Sequence, residues 1–382
     1  MKDVFLVGVG QVPVREHWKL SLRELGARAA IAAMTDAGVD RVDAVVVGNM
    51  LGSRLGHQDN LGSVIADAAG LLPCEAWRVE AACASGGLAV RAAAMAISSG
   101  GHDTVMAVGL EKMTDAGSAE VTAALAAACD HEYEAAQGFT FPGIAGLVMR
   151  RYLHEVGCGP EAFAPFVLAA HEHGRRNTCA LYRKGMTLAE WQESPKIASP
   201  LRLLDCAPVC DGAAAVILCS ERVVRSSQKA LRVAASTVAC DTIDLASRKD
   251  LLTLGGAVDS ATRAYRIAGV KSKQISLFEA HDAFSPLAVL SLEACGFARR
   301  GEGIRLGASG AIRRDGSIPL GTFGGLKARG HPVGASGTYQ VVEAALQLRG
   351  EAGENQIVGA KYALTQSIGG YGATVVTHIL EV

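Results

Sequence analysis

Strand-like apolar runs at 4–9, 42–47, 77–80 and 104–108 alternate with helix-like runs at 21–37, 63–69 and 83–99. After Pro208 the rhythm returns, with strand-like runs at 213–218, 231–239, 275–279, 362–366 and 374–379 and helix-like runs at 258–267, 285–295 and 335–348. This alternation narrows the choice of folds more than any other feature. It predicts an α/β chain in two similar halves, each a mainly parallel sheet with helices on its faces. Ser21 followed by Glu24 is a capping box that starts the first helix. Between two strands of the first half, 115–204 is polar and helix-prone and breaks the alternation, so it is expected to be an inserted lid or loop domain. Both halves place a reactive side chain just past the end of a strand, Cys83 in one and His281 in the other. Ligands of open α/β sheets gather there.

At 382 residues the chain exceeds what one core organises. Hydrophobic residues make up 49%, aromatic residues 5%, and there are 44 glycines, a composition suited to helices packed closely on sheets. Lys and Arg total 37 against 38 Asp and Glu, so no overall basic field supports nucleic-acid or anionic-membrane binding. No apolar run reaches the roughly 18 residues of a membrane span. The glycine-interrupted opening at 1–10 reads as a first strand rather than an export signal. Ten cysteines without regular spacing are then expected to be reduced thiols of a cytoplasmic protein. Cys206 and Cys210 lack a second ligand pair nearby, which argues against structural zinc, and no metal is expected. Gly8-Val9-Gly10 has no third glycine on schedule and is not a dinucleotide fingerprint.

Cys83 lies in Val79-Glu80-Ala81-Ala82-Cys83-Ala84-Ser85-Gly86-Gly87, between a short strand and an Ala-rich helix. A cysteine at a helix N-terminus is expected to be ionised by unpaired N–H groups and the macrodipole, and so to act as a nucleophile. Three further segments belong with it: Phe278-Glu279-Ala280-His281-Asp282-Ala283-Phe284, the glycine-rich stretch 324–337 containing Gly330-His331-Pro332, and Ser367-Ile368-Gly369-Gly370. His171 and His173 sit in a charged stretch, 171–177, expected to face solvent.

Together with Gly109-Leu110-Glu111-Lys112-Met113 and Asp211-Gly212-Ala213-Ala214-Ala215, these segments resemble the thiolase superfamily over essentially the whole chain. His281-Asp282-Ala283-Phe284, where degradative thiolases read Asn-Glu-Ala-Phe, is similar to the sterol-carrier-protein type and its bacterial and archaeal acetyl-CoA acetyltransferase relatives. The resemblance implies a five-layered α-β-α-β-α sandwich. Its N-terminal half would span 1–114 and 205–222, the inserted loop domain 115–204, and its C-terminal half 223–382. It implies an acyl-CoA C-acyltransferase that forms a Cys83 acyl-enzyme and either cleaves a 3-oxoacyl-CoA by thiolysis or runs the reverse Claisen condensation. His331 would take the Cys83 proton, His281 would orient a water or an oxyanion, and Gly369 with the Cys83 N–H would form an oxyanion hole. Arg175, Arg176, Arg183 and Lys184 would attract the phosphates of CoA, which enters as substrate with no tightly bound cofactor. Relatives of this type form homodimers or tetramers and often work beside a separate OB-fold protein with a zinc ribbon.

One departure stands out. Ser367 occupies the position of the second thiolase cysteine, and Ala283 that of a compensating cysteine in some sterol-carrier-type relatives. An alcohol is a far weaker acid than a thiol and cannot simply replace it as a base. The α-proton then falls to His281, His331 or an unplaced cysteine. Otherwise the protein is a retro-aldol lyase on a β-hydroxyacyl-CoA, an acyltransferase to another nucleophile, or a non-catalytic scaffold subunit.

Overall fold

A computed structural model describes residues 3–225 and 228–382. The strands are β1 (Val4–Gln11), β2 (Ala44–Gly48), β3 (Glu75–Val79), β4 (Thr104–Glu111), β5 (Lys196–Ala198), β6 (Leu201–Arg202), β7 (Gly212–Ser220), β8 (Leu231–Cys240), β9 (Leu277–Glu279), β10 (Tyr362–Gly369) and β11 (Thr374–Glu381). Nine of them follow the order β3-β2-β4-β7-β1-β8-β11-β10-β9. The seam between β1 and β8 is only Phe5–Arg232 and Leu6–Leu231, so two sheets of different parentage meet at an edge.

Only β2–β3, β2–β4 and β9–β10 run parallel; the remaining neighbours are antiparallel. The expectation of a mainly parallel sheet is corrected here. Strand β7 returns from the insertion to lie antiparallel between β4 and β1, and β10 turns directly into β11, so β11 needs no helical crossover.

Helices Ser85–Ser98 and Ser336–Leu348 lie between the two sheets and touch strands of both. Helices Leu22–Ala37 and Leu61–Ala68 cover the outer face of the first sheet, and Gly255–Ala268 that of the second, giving the α-β-α-β-α layering. The Ser21–Glu24 capping box forms as expected, and Gly38 closes the helix in the left-handed region. Close packing sets the composition of the middle layer. A Cβ on Gly86 would sit 2.8 Å from Gly334 O, and one on Gly87 2.2 Å from Ser367 Oγ. Larger side chains there would push the layers apart.

The insertion carries helices Ser118–Ala126, Phe141–Val156, Ala164–Arg175 and Leu188–Glu193 and the β5–β6 pair. His171 and His173, expected in solvent, are buried. The His171 ring stacks on Tyr182 at 5.8 Å, and His173 Nδ1 contacts Gly321 O at 3.1 Å. Asn177 Nδ2 donates to Phe323 O at 2.9 Å, while Leu181 N and Tyr182 N donate to Arg329 O and Ala328 O. His173 and Asn177 therefore face inward because they satisfy backbone groups of the segment before His331, while Glu172 and Arg175 on the helix of His173 stay at the surface. In this way the insertion braces that segment.

Candidate active site

Cys83 sits in a tight turn between β3 and its helix, which begins at Ser85 rather than at the cysteine. Ser85 holds the turn: Ala81 N donates to Ser85 Oγ at 2.9 Å, and that hydroxyl donates to Ala82 O at 2.6 Å. Ala82 adopts φ 50°, a left-handed conformation in a non-glycine residue that costs about 1–3 kcal/mol. Strain of this size clusters at functional turns, which marks this one as a candidate. The thiol is not ionised in the resting protein. Burial pushes it up to about 12, aided by the negative charges of Glu111 and Glu80. The expected thiolate is corrected: without a nearby cation, desolvation outweighs the helix terminus.

His281 follows β9 and meets His331 edge to face, ring centroids 5.0 Å apart at 85°. Sγ of Cys83 and one ring nitrogen of each histidine all lie within 4.8 Å of one another. Burial keeps both imidazoles neutral, pushing His281 down to about 3 and His331 well below its usual value. His331 Nδ1 lies 2.7 Å from Ser336 Oγ, and that hydroxyl donates to Pro332 O at 3.2 Å. Ser336 therefore accepts from Nδ1–H, which leaves the lone pair on Nε2. A neutral imidazole in that tautomer is a base.

Two buried carboxylates bring these pieces together. Asp282 accepts from Leu326 N at 2.6 Å and from Lys327 Nζ at 3.2 Å, while Lys327 Nζ also donates to Asp282 O at 2.7 Å. This clamps the His281 turn to the His331 segment. Gly325, at φ 53°, is required there, since a Cβ would lie 2.6 Å from the Asp282 carboxylate. Glu111 accepts from Asn49 Nδ2, Met50 N, Leu51 N and Gly334 N at 2.8–3.2 Å and ties the first half to the same segment. Burial pushes Glu111 up to about 7, against the Met50, Leu51 and Gly334 N–H groups and the charge of Arg78. Sequence reasoning quoted both carboxylates in motifs but gave neither a positioning role. Nor did it find Ser336. The available signal was the placement of acids inside otherwise apolar, Gly-rich runs.

The cluster opens on an apolar cavity of about 520 Å³ lined by Cys83, Met113, Phe141, Phe284, His281 and His331, among others. A second hollow of about 550 Å³, between helix Ala164–Arg175 and residues 307–315, holds Arg176, Arg313 and Arg314 but no cysteine or serine, so the first is the candidate active site. Gly369 packs on the Cys83 turn, where a Cβ would stand 2.2 Å from Ala81 O; its neighbour Gly370 lines the cavity. Ser367 is not among the lining residues described. Its hydroxyl is buried without a partner and points at Gly87 and Gly337 in the middle layer. Cys206 does line the cavity, but its thiol donates to Arg202 O at 3.5 Å. Cys210 accepts from His331 N at 3.1 Å.

Of the four cations expected to meet CoA, none lines this cavity among the described residues. Arg175 and Arg176 pair with Glu172, and Lys184 lies 3.8 Å from Glu190. Arg183 is exposed.

The layered fold and a cysteine facing two imidazoles make this cavity the candidate acyl-transfer site. The family model "Thiolase, N-terminal domain" matches residues 4–222, and "Thiolase C-terminal domain-like" matches 237–382. The chain belongs to the thiolase family. It is 44% identical over the full length of both chains to an acetyl-CoA acetyltransferase of Methanothermobacter thermautotrophicus. It is 31% identical to sterol carrier protein 2 of Bos taurus, over 98% of this chain and 71% of that one. Among solved structures, an Ltp2–ChsH2(DUF35) aldolase superposes with TM-score 0.87 at 22% identity, covering 100% of this chain and 98% of the other. Human mitochondrial 3-ketoacyl-CoA thiolase in complex with CoA gives 0.78 at 19%, with the same coverage. The protein is an acyl-CoA C-acyltransferase, a thiolase acting on CoA thioesters. The lyase, other-acceptor and scaffold alternatives are not favoured.

Proposed function

We propose that Cys83 carries the acyl group and that His331 is the single base serving both half-reactions, with acetyl as the transferred group. In thiolysis the Cys83 thiol attacks the 3-oxo carbon of a 3-oxoacyl-CoA as its proton passes to His331 Nε2. The C2–C3 bond then breaks. The electron pair is held as a thioester enolate, whose oxygen accepts from His281, and His331 returns the proton to C2. CoA next gives its thiol proton to His331 and attacks the Cys83 thioester. The N–H groups of Cys83 and Gly369 hold the tetrahedral oxygen until the Cys83 thiolate leaves and is reprotonated. Because the thiol sits at about 12 and the imidazole is neutral, proton transfer accompanies attack instead of preceding it. Condensation is the same sequence reversed.

The observation that carries this reading is the mutual approach of Cys83, His281 and His331 within 4.8 Å at an apolar cavity. Intact-protein mass spectrometry after mixing with a panel of acyl-CoAs tests it. The expected result is one acetyl adduct, on the peptide containing Cys83, discharged by CoA. An adduct elsewhere, or none, overturns it.

For the CoA phosphates the reading keeps Arg183 and Lys184 ahead of Arg175 and Arg176, whose guanidinium groups are occupied by Glu172. An Arg183→Ala/Lys184→Ala variant should raise KM for acyl-CoA but not for a pantetheine thioester, which lacks those phosphates. The matched segments end at 222 and resume at 237, which supports a domain break near 223. The halves proposed are 1–114 with 205–222, and 223–382, around an inserted 115–204. Self-association as a dimer or tetramer, an OB-fold partner with a zinc ribbon, and a cytoplasmic setting belong to the same proposal. Among the described residues no helix is long and apolar enough to cross a membrane. The aldolase neighbour is described as a complex with a DUF35 component, which supports a search for such a partner by co-purification.

A further inference from the structure

The side chains proposed for acyl transfer have a second competence. Among the described residues, Cys83, His281 and His331 are the one group of His, Cys, Asp or Glu whose ligand atoms, each within 4.8 Å of the others, could hold a metal ion. All three are buried, and Nδ1 of His281 has no hydrogen-bond partner at 2% exposure. The Ser336 contact on His331 Nδ1 is the kind of outer contact that orients a metal-bound imidazole and leaves Nε2 to the ion. We propose that Cys83, His281 and His331 form a three-ligand Zn²⁺ site that caps the nucleophile and switches the enzyme off reversibly.

One thiolate and two imidazoles suit Zn²⁺ and exclude the oxygen-seeking Mg²⁺ and Ca²⁺. With Zn–S near about 2.3 Å and Zn–N near about 2.0–2.1 Å, tetrahedral ligand atoms stand about 3.5 Å apart. The three must therefore close by about 1 Å, a movement of side-chain torsions. His281, unrestrained at Nδ1, can supply it. The fourth position opens on the 520 Å³ cavity, where water or the thiol of CoA completes the shell. Local charge is mixed: Arg329 opposes positive charge at both histidines and Lys327 at His281, where Asp282 favours it. The buried cations Lys327 and Arg329 are paired with Asp282 at 3.2 Å and Glu343 at 3.0 Å, and the carboxylates of Glu80 and Glu111 act on the sulfur. As the S–Zn bond forms, the S–H proton leaves to solvent, and no electron changes hands.

Co²⁺ is the spectroscopic probe, titrated into metal-free full-length protein. The expected result is one equivalent bound, with a thiolate-to-metal charge-transfer band and the intense d–d bands of four-coordination. Cys83→Ser, which keeps the shape of the site, should lose the charge-transfer band, and His281→Ala should lose the four-coordinate spectrum. Ser336→Ala should weaken binding by about 10–100-fold. Replacing the exposed Cys240 by Ser should change none of this. In parallel, one equivalent of Zn²⁺ should abolish acyl transfer, and a chelator should restore it. A charge-transfer band that survives Cys83→Ser, or absence of one-to-one binding in the folded wild type, overturns the assignment. Metal binding is read without acyl transfer, so failure of the acyl-enzyme reading leaves this test intact, and an active enzyme blind to cobalt sinks only the zinc site.

Discussion

The helix after Cys83 and the helix after His331 lie side by side in the middle layer and are made of opposite materials. Ser85–Ser98 buries Gly86, Gly87, Ala89, Ala93 and Ala94 and no ionisable side chain. Ser336–Leu348 buries Gln340, Glu343 and Gln347, and Glu343 Oε1 stands 3.0 Å from Arg329 Nε, whose guanidinium lies 4.8 Å over the Tyr339 ring. The first helix works by being thin, letting the Cys83 turn approach Gly369 and the second half. The second sits among buried charges that hold a glycine-rich segment in one conformation and aim a ring. In the proposed roles, the nucleophile's turn needs space, whereas a base that must keep one tautomer needs partners.

That contrast can be broken most severely at the sulfur. Cys83→Ala should lower turnover by about 10⁴-fold or more, with no acyl adduct by mass, since removing a nucleophile disables the whole catalytic unit. His331→Ala should slow single-turnover acylation of Cys83 by about 10²–10⁴-fold. Ser336→Ala, which frees the tautomer, should fall between His331→Ala and wild type. Equal rates for Ser336→Ala and wild type would remove the positioning argument.

Stability separates the two helices next. Lys327→Met leaves the buried Asp282 carboxylate without its cation and should cost about 3–5 kcal/mol in denaturant unfolding. Gly87→Ala drives a Cβ to 2.2 Å from Ser367 Oγ and should cost about 1–3 kcal/mol. Adding Ser367→Ala should recover most of that loss, because the clashing atom is gone. Alone, Ser367→Ala should leave kcat within about twofold and stability unchanged or raised, since it deletes an unsatisfied buried hydroxyl. A collapse of kcat would make Ser367 part of the chemistry after all. As the finest test, alkylation of Cys83 in the free protein should keep accelerating with pH beyond the range where an ordinary thiol levels off. The sign follows from a pKa raised to about 12, which leaves the thiolate scarce until high pH. A plateau near neutrality would restore the preformed thiolate.

Much was legible along the chain. Glycines and a lone cysteine between an apolar strand and an Ala-rich run marked the Cys83 turn, and Gly330-His331-Pro332 marked its partner. The buried faces of 171–177 were not legible, because a helix rich in His, Glu and Arg reads as solvated until the backbone groups it must satisfy are known. His173 and Asn177 answer carbonyls of Gly321 and Phe323, about 150 residues away. The state of the sulfur escaped for a similar reason. A helix terminus is a local property, but desolvation and the Glu111 carboxylate arrive from elsewhere in the fold.

The amino-acid order alone determined the two-fold repetition of strand and helix, the reactive positions at strand ends and the departure at Ser367, since these depend on periodicity and side-chain chemistry. Only the packed structure decided that Ser367 points into the middle layer, that the thiol rests protonated, that Glu111 ties the first half to the His331 segment, and that Asp282 clamps the His281 turn to it. Those outcomes rest on distances and burial between residues remote in sequence, and electrostatic and packing energies depend on separation in space.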